Sequence, residues 1–299
     1  MTAPIHGGFT EAEMGHILEH GCAQAGLDAT GAVLLRGQTN AVLRLVAHPV
    51  IVKIARKGTP AAEVSRTTIF VRWLMDMGFP TVPLYQPHLQ PLQVDGHALT
   101  LWEYLPQPAH PVPAHALAKP LNILHSLSEP PLDLPSADVC GAIRSSLRRT
   151  EILSEQDRHY LTRRVDILER QLTAVRYDLP GGVLQGDPQH GNALHEGNRA
   201  VLCDWDSIAY GHPEWDLVTV EVHCRRFGHG AAHYDAFAEA YGWDVTRWSG
   251  YPVLRDLREL RMITTNARKA THEPAKAAEV RRRISVLREQ RLTARWHIL

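Results

Sequence analysis

Thr10-Glu11-Ala12-Glu13 has the spacing of a capping box, and Met14, Ile17, Leu18 and Cys22 recur at helical intervals as far as Gly26, which predicts a first helix. The period then drops to two. Residues 32–35 and 41–46 read as strands around the turn Arg36-Gly37-Gln38-Thr39-Asn40, and residues 49–54 as a third. Between Pro60 and Met77 the positions of Val64, Ile69, Val71, Leu74 and Met75 predict a helix closed by Gly78. Strands at 89–94 and 97–102 flank Asp95-Gly96, a two-residue hairpin signal.

Four prolines between Pro106 and Pro113 mark a connector, after which leucines and isoleucines spaced among charges predict helices at 114–127, 137–150 and 155–175. Two short apolar segments, Val183-Leu184 and residues 200–203, interrupt them and are expected to form an inserted strand pair. Further helices run from Glu214 onward. The expected fold class is α+β: an N-terminal lobe of antiparallel strands with a leading helix over residues 1–105, and a larger helical lobe over 106–299. A cleft between lobes is the expected ligand site.

Composition narrows the function more than the fold. The chain has 299 residues, 44% of them hydrophobic, with 32 basic against 32 acidic side chains, so no global field recruits nucleic acid or an anionic membrane. The Arg281-Arg282-Arg283 run is expected to be an exposed helix face rather than a nucleic-acid patch. Cys22, Cys140, Cys203 and Cys224 are far apart and suggest neither a zinc ribbon nor a disulfide framework. With no leader-like start and no apolar run of spanning length, a cytoplasmic protein is expected.

Chemistry concentrates in Gly186-Asp187-Pro188-Gln189-His190-Gly191-Asn192 and in Cys203-Asp204-Trp205-Asp206. Either motif alone reads equally well as a turn or a helix cap. Each follows a short apolar strand, however, and Asp-x-x-x-x-Asn returns an amide oxygen toward the carboxylate on one loop. Hard oxygen ligands of this kind suit Mg2+ rather than zinc. Phosphoryl transfer needs such an ion bridging phosphate oxygens, together with one carboxylate kept off the metal. Asn192 and Asp204 are therefore the expected metal ligands, and Asp187 the expected base for an attacking hydroxyl.

The two motifs, their order, and the segment Gly211-His212-Pro213-Glu214-Trp215-Asp216-Leu217 resemble the aminoglycoside phosphotransferase family of the protein-kinase-like superfamily. The resemblance implies a bilobal protein-kinase-like fold, ATP or GTP as phosphate donor, and a small-molecule hydroxyl as acceptor. By position Lys53 resembles the family's nucleotide lysine. Alternation supports this, because Val50, Val52 and Ile54 share one face and leave Lys53 on the other. Gly37, Thr39 and Asn40 fall where the nucleotide-covering turn stands, and Glu103 and Leu105 in the adenine connector. Asp216 resembles a buried anchor of the catalytic loop, His125 a packing histidine, and Glu214 surface or pocket rim.

Two positions depart from the family pattern. Thr67 stands where a glutamate partner of Lys53 is expected, so either Glu63, one turn earlier, substitutes or Lys53 lacks that partner. Gln185 replaces a scaffold histidine, for which its amide is a plausible substitute. These departures leave a second reading, a nucleotide-binding pseudokinase or a ligand-sequestering protein of immunity type. Acceptor contacts are expected from the helical lobe, with His190, Asp206, Glu221 and His223 as candidates and Asp235 and Glu239 beyond them. His190 reads equally as a solvated loop residue, and Asp206 either approaches a second metal or bonds the loop backbone. The first 254 residues hold 20 basic and 27 acidic side chains, a surplus compatible with a cationic acceptor such as an aminoglycoside.

Overall fold

A computed structural model describes residues 9–37, 40–271 and 273–298, and its chain divides into two compact units. The first runs through His110 and adds Pro130–Asp133 and Leu194–Asp206. Its helix α1 (Glu11–Gln24) starts as the capping box predicts, with the Thr10 hydroxyl accepting the Glu13 N–H at 3.1 Å. Strands β1 (Val33–Arg36), β2 (Ala41–Arg44) and β3 (Val50–Ile54), helix α2 (Ala61–Asp76), and strands β4 (Leu92–Val94) and β5 (His97–Glu103) follow. The strands form an antiparallel sheet of order β1-β2-β3-β5-β4. Asp95 and Gly96 both take positive φ, 47° and 80°, as a tight hairpin turn requires. Leu89, expected in a strand, instead closes a 3-10 turn that starts at Pro87.

Period-two patterning puts Val50, Val52 and Ile54 in the core with α1, where Ile17 and Cys22 also lie. Each fully buried aliphatic side chain there contributes about 1.5–3 kcal/mol, which fixes the register of β3 and hence the face of Lys53.

The sequence predicts that the two short strands of the second half pair with each other, and they do not. β6 (Gly182–Leu184) belongs to the second unit, whereas β7 (Ala193–Glu196) and β8 (Arg199–Leu202) form their own ribbon. β8 is fastened to the first unit through its backbone: Leu202 N–H donates to Pro80 O at 2.9 Å and Leu202 O accepts Val82 N–H at 3.0 Å. Fully buried Trp205 follows, its indole N–H on the Thr81 hydroxyl (2.9 Å) and its ring against Phe70 and Phe79.

The second unit covers Pro111–Glu129, Leu134–Ala193 and Ser207–Leu299. It contains α3 (Ala114–His125), α4 (Val139–Arg148), α5 (Glu155–Leu172), β6, β9 (Ala209–Gly211), α6 (Glu214–Arg226), α7 (Ala231–Tyr241), α8 (Tyr251–Lys269) and α9 (Pro274–Arg288). β6 pairs antiparallel with β9. The arginine run on α9 is only in part the solvated face expected: Arg281 is exposed, but Arg283 is fully buried, ion-paired to Glu279, with its guanidinium over the Trp296 ring. Among the described residues no helix is long and apolar enough to cross a membrane.

Candidate active site

In the second unit the loop after β6 is held from beneath by one carboxylate. Fully buried Asp216, on the first turn of α6, accepts the backbone N–H of Gln185 at 2.8 Å and of Gly186 at 2.9 Å. His125 Nε2 lies 3.2 Å from the same carboxylate, and its Nδ1 lies 2.8 Å from the Tyr241 hydroxyl. Asp216 thus anchors the loop as the sequence implies, and His125 is a packed, satisfied histidine. Gln185 takes a scaffold role through its side-chain oxygen, which accepts the Asp187 N–H at 2.7 Å. Gly186 has to be glycine: its φ is +83°, and a Cβ there would fall 2.2 Å from the Ser207 carbonyl oxygen.

Asp187 emerges from this support half-exposed, and its carboxylate forms an ion pair with Arg258 of α8. The Arg258 guanidinium is itself buried over the Trp215 ring. Asn192 donates its amide N–H to the Asp187 carbonyl at 2.9 Å, which leaves the amide oxygen as the end able to hold a cation. Asp187 and Asn192 are therefore set on one loop by a common scaffold. His190, between them, is buried against His229 and His233, and burial followed by those two neighbours pushes its pKa down to about 4.

In the first unit Lys53 reaches two carboxylates, Asp204 Oδ1 at 2.9 Å and Asp206 Oδ2 at 2.7 Å. Burial opposes the ammonium charge, but Asp204 and Asp206 outweigh it and raise its pKa above the ordinary lysine value. Asn40 also donates to Asp206 Oδ2, at 2.9 Å. Asp206 is thus joined to side chains rather than only to its own loop backbone. Asp204 adopts φ +58°, a left-handed conformation that costs a non-glycine residue on the order of 1–3 kcal/mol and is kept mainly at functional positions. The oxygens of Asp204 and Asp206 already enclose a cation, the lysine ammonium, so their chemistry fits a hard divalent ion. Burial and then Asp204 push the pKa of Cys203 beside them up to about 12.

Other predicted site residues are placed as follows. Glu63 is exposed on the first turn of α2, while Thr67 is buried. Gly37 is buried and Thr39 lies outside the described residues. Glu103 ends β5, with its N–H on Pro83 O at 2.9 Å, and the Leu105 carbonyl accepts the Gln107 amide at 3.0 Å. Glu221 and His223 are both buried on α6, and Glu221 is ion-paired to Arg225 at 2.7 Å. Glu214, expected at the surface or a pocket rim, is fully buried and caps the Asp178 and Leu179 N–H groups at 2.8 and 2.9 Å. Arg258 is the residue that sequence reasoning missed.

A lysine on a five-stranded sheet facing aspartates, and a helical unit presenting a braced Asp-x-x-x-x-Asn loop, define a phosphotransferase of protein-kinase-like fold. Solved structures agree on that fold. An amicoumacin kinase, hAmiN, in complex with AMP-PNP, Ca2+ and Ami, has a TM-score of 0.73 at 14% identity over 96% of this chain and 98% of its own. A choline/ethanolamine kinase family protein from Mesorhizobium loti scores 0.64 at 21% identity, covering 93% and 94% of the two chains. Spectinomycin phosphotransferase APH(9)-Ia, in complex with ADP and its antibiotic, scores 0.64 at 16% identity over 90% and 93%. A comparison with curated proteins returns no match. The chain belongs to the phosphotransferase enzyme family, whose model matches residues 30–260, and its reaction class is phosphoryl transfer to a hydroxyl acceptor.

Proposed function

We propose that this enzyme transfers the γ-phosphoryl group of ATP or GTP to a hydroxyl of an aminated small molecule: an aminoglycoside-like antibiotic, an amino sugar or an amino alcohol. The observation that carries the reading is the loop in which Asp216 braces Gln185 and Gly186 so that Asp187 and Asn192 share one platform. Asp187 accepts the proton of the attacking hydroxyl, with Arg258 holding its carboxylate in place. Asn192 and Asp204 hold Mg2+, and Asp206 lies beside Asp204 on Lys53. When bound, the ion neutralises charge on the donor phosphates. Lys53 leaves its aspartate partners to bind those phosphates, the turn of Gly37, Thr39 and Asn40 covers them, and the backbone of Glu103 to Leu105 receives the base.

The similar structures whose names carry amicoumacin, choline and spectinomycin support an acceptor of modest size bearing an amine or polyol. Glu221 is committed to Arg225, so the carboxylates of α7 that are exposed, Asp235 and Glu239, are better placed to attract a cationic group. A cytoplasmic location, where nucleoside triphosphate is abundant, belongs to the same reading.

The test is Mg2+-dependent release of ADP from ATP and of GDP from GTP across aminoglycosides, peptide and nucleoside antibiotics, amino sugars and choline-like alcohols, with Asp187→Ala as the blank. Turnover with one acceptor class, lost in the blank, is the expected result. Nucleotide binding by calorimetry without turnover on any acceptor would favour the pseudokinase reading, and turnover retained in the blank would remove Asp187 from the role of base.

A further inference from the structure

The phosphoryl-transfer reading gives no role to a cluster of three histidines in the second unit. His190 comes from the loop that bears Asp187, His229 from the turn after α6, and His233 from the first turn of α7. One ring nitrogen from each lies within 4.8 Å of the others, and His190 Nε2 is 3.0 Å from His233 Nε2. The rings stack with centroid separations of 4.2, 5.2 and 5.0 Å and interplanar angles of 15°, 20° and 19°. The Nδ1 atom of buried His190 has no hydrogen-bond partner.

We propose that His190, His229 and His233 form a tri-histidine binding site for a borderline-soft divalent metal ion, Zn2+ foremost, distinct from the oxygen ligands assigned to Mg2+. Imidazole nitrogens select zinc over magnesium. A tetrahedral Zn2+ with bonds of about 2.0–2.1 Å sets its ligand nitrogens roughly 3.3–3.4 Å apart. His190 and His233 are already near that spacing, and even the full 4.8 Å separation closes with a movement of about 1.5 Å.

His229 is the ligand able to make the movement. It is exposed and stands between Gly228 and Gly230, both at positive φ, 82° and 91°. The turn is meanwhile anchored by the His229 and Gly230 N–H groups on the Cys224 carbonyl, at 3.1 and 3.3 Å. The near-parallel rings fan out on binding, so that one ion lies in the plane of each. His233 Nε2 also accepts the Ala114 N–H at 3.1 Å, so ligation through that atom exchanges a hydrogen bond for a metal bond. Three protein nitrogens leave one tetrahedral position open to water or another small donor.

The test is calorimetric titration of the metal-stripped full chain with Zn2+ in excess Mg2+, with Co2+ absorption as the coordination probe. One Zn2+ per chain, undisturbed by Mg2+, and the intense visible bands of tetrahedral Co2+ are expected. His229→Asn and His233→Asn should each weaken Zn2+ binding about 100-fold or more, beyond the 10- to 100-fold typical of outer-sphere changes, with unaltered far-ultraviolet circular dichroism. Asp187→Ala should bind Zn2+ as the parent does, which separates this site from the kinase assignment. Absence of stoichiometric binding, displacement by Mg2+, or Zn2+ affinity equal to the parent's in both histidine variants would overturn the proposal.

Discussion

The buried guanidinium of Arg258 forms an ion pair with Asp187, 71 residues earlier in the chain. In the proposed mechanism Asp187 is the base, which has to be held within a few tenths of an ångström, and Arg258 would do this from the middle of α8. Arg258→Met should therefore lower kcat about 10- to 100-fold while nucleotide KM stays within about twofold, and Arg258→Lys should restore part of the loss. Steady-state kinetics on both variants decide it; an unchanged kcat in Arg258→Met would make the pair purely structural.

In the proposed site, Lys53 and a divalent ion would draw on the same oxygens. Replacing the lysine by methionine removes the cation between Asp204 and Asp206, leaving two carboxylates that repel. Lys53→Met should raise Mg2+ affinity in the absence of nucleotide and give a larger Mg2+-induced rise in Tm than the parent shows, while turnover falls. Differential scanning fluorimetry across a Mg2+ series reads this directly, and equal rises in the two proteins would count against the shared-ligand assignment.

Asp216→Asn probes the brace beneath the loop. An asparagine at this position offers one acceptor where the carboxylate accepts from both Gln185 and Gly186, so one buried N–H is left unmet at a cost of about 1–3 kcal/mol. Lower Tm and a kcat loss exceeding that of a surface control such as Asp76→Asn, exposed at the end of α2, are expected. Preserved activity would show that the loop holds its shape without the second bond.

Acid should destabilise the fold partly through His223. Burial, followed by Arg258 and other positive neighbours, holds its pKa well below 6.5. The native state therefore wants the neutral ring: this stability is complete above the unfolded value of about 6.5 and is lost as pH falls below it. The loss is at most about 1.4 kcal/mol per pH unit for one histidine. His223→Gln should flatten the dependence of Tm on pH between 7.5 and 5.0 relative to the parent, and parallel curves would refute the assignment.

What the sequence discloses depends on how local the physics is. The alternation of Val50, Val52 and Ile54, the Asp95-Gly96 turn and the capping box at Thr10 are settled within a few residues, and all three stand as read. The anchoring of the Asp187 loop by Asp216 was legible too, through the family motif. The pairing of β6 with β9 was not, because Ala209-Tyr210-Gly211 is too short to show a period. Nor was Arg258: α8 carries Arg255, Arg258, Arg261 and Arg268, and spacing alone does not say which of them turns toward Asp187. For Lys53 the sequence leaves open whether Glu63 of α2 is its partner, and the ammonium meets Asp204 and Asp206 instead, a contact across more than 150 residues of chain.

That long reach bears on how the protein can be divided. Because Leu194–Asp206 completes the first unit and supplies both carboxylates to Lys53, a piece ending at His110 lacks the strand that meets Pro80 and Val82 as well as the charges that balance the lysine. The first unit is thus no transferable cassette. A chimera that exchanges it between relatives has to carry the later segment along, and recombination at the proline-rich connector alone would hand each descendant an incomplete half.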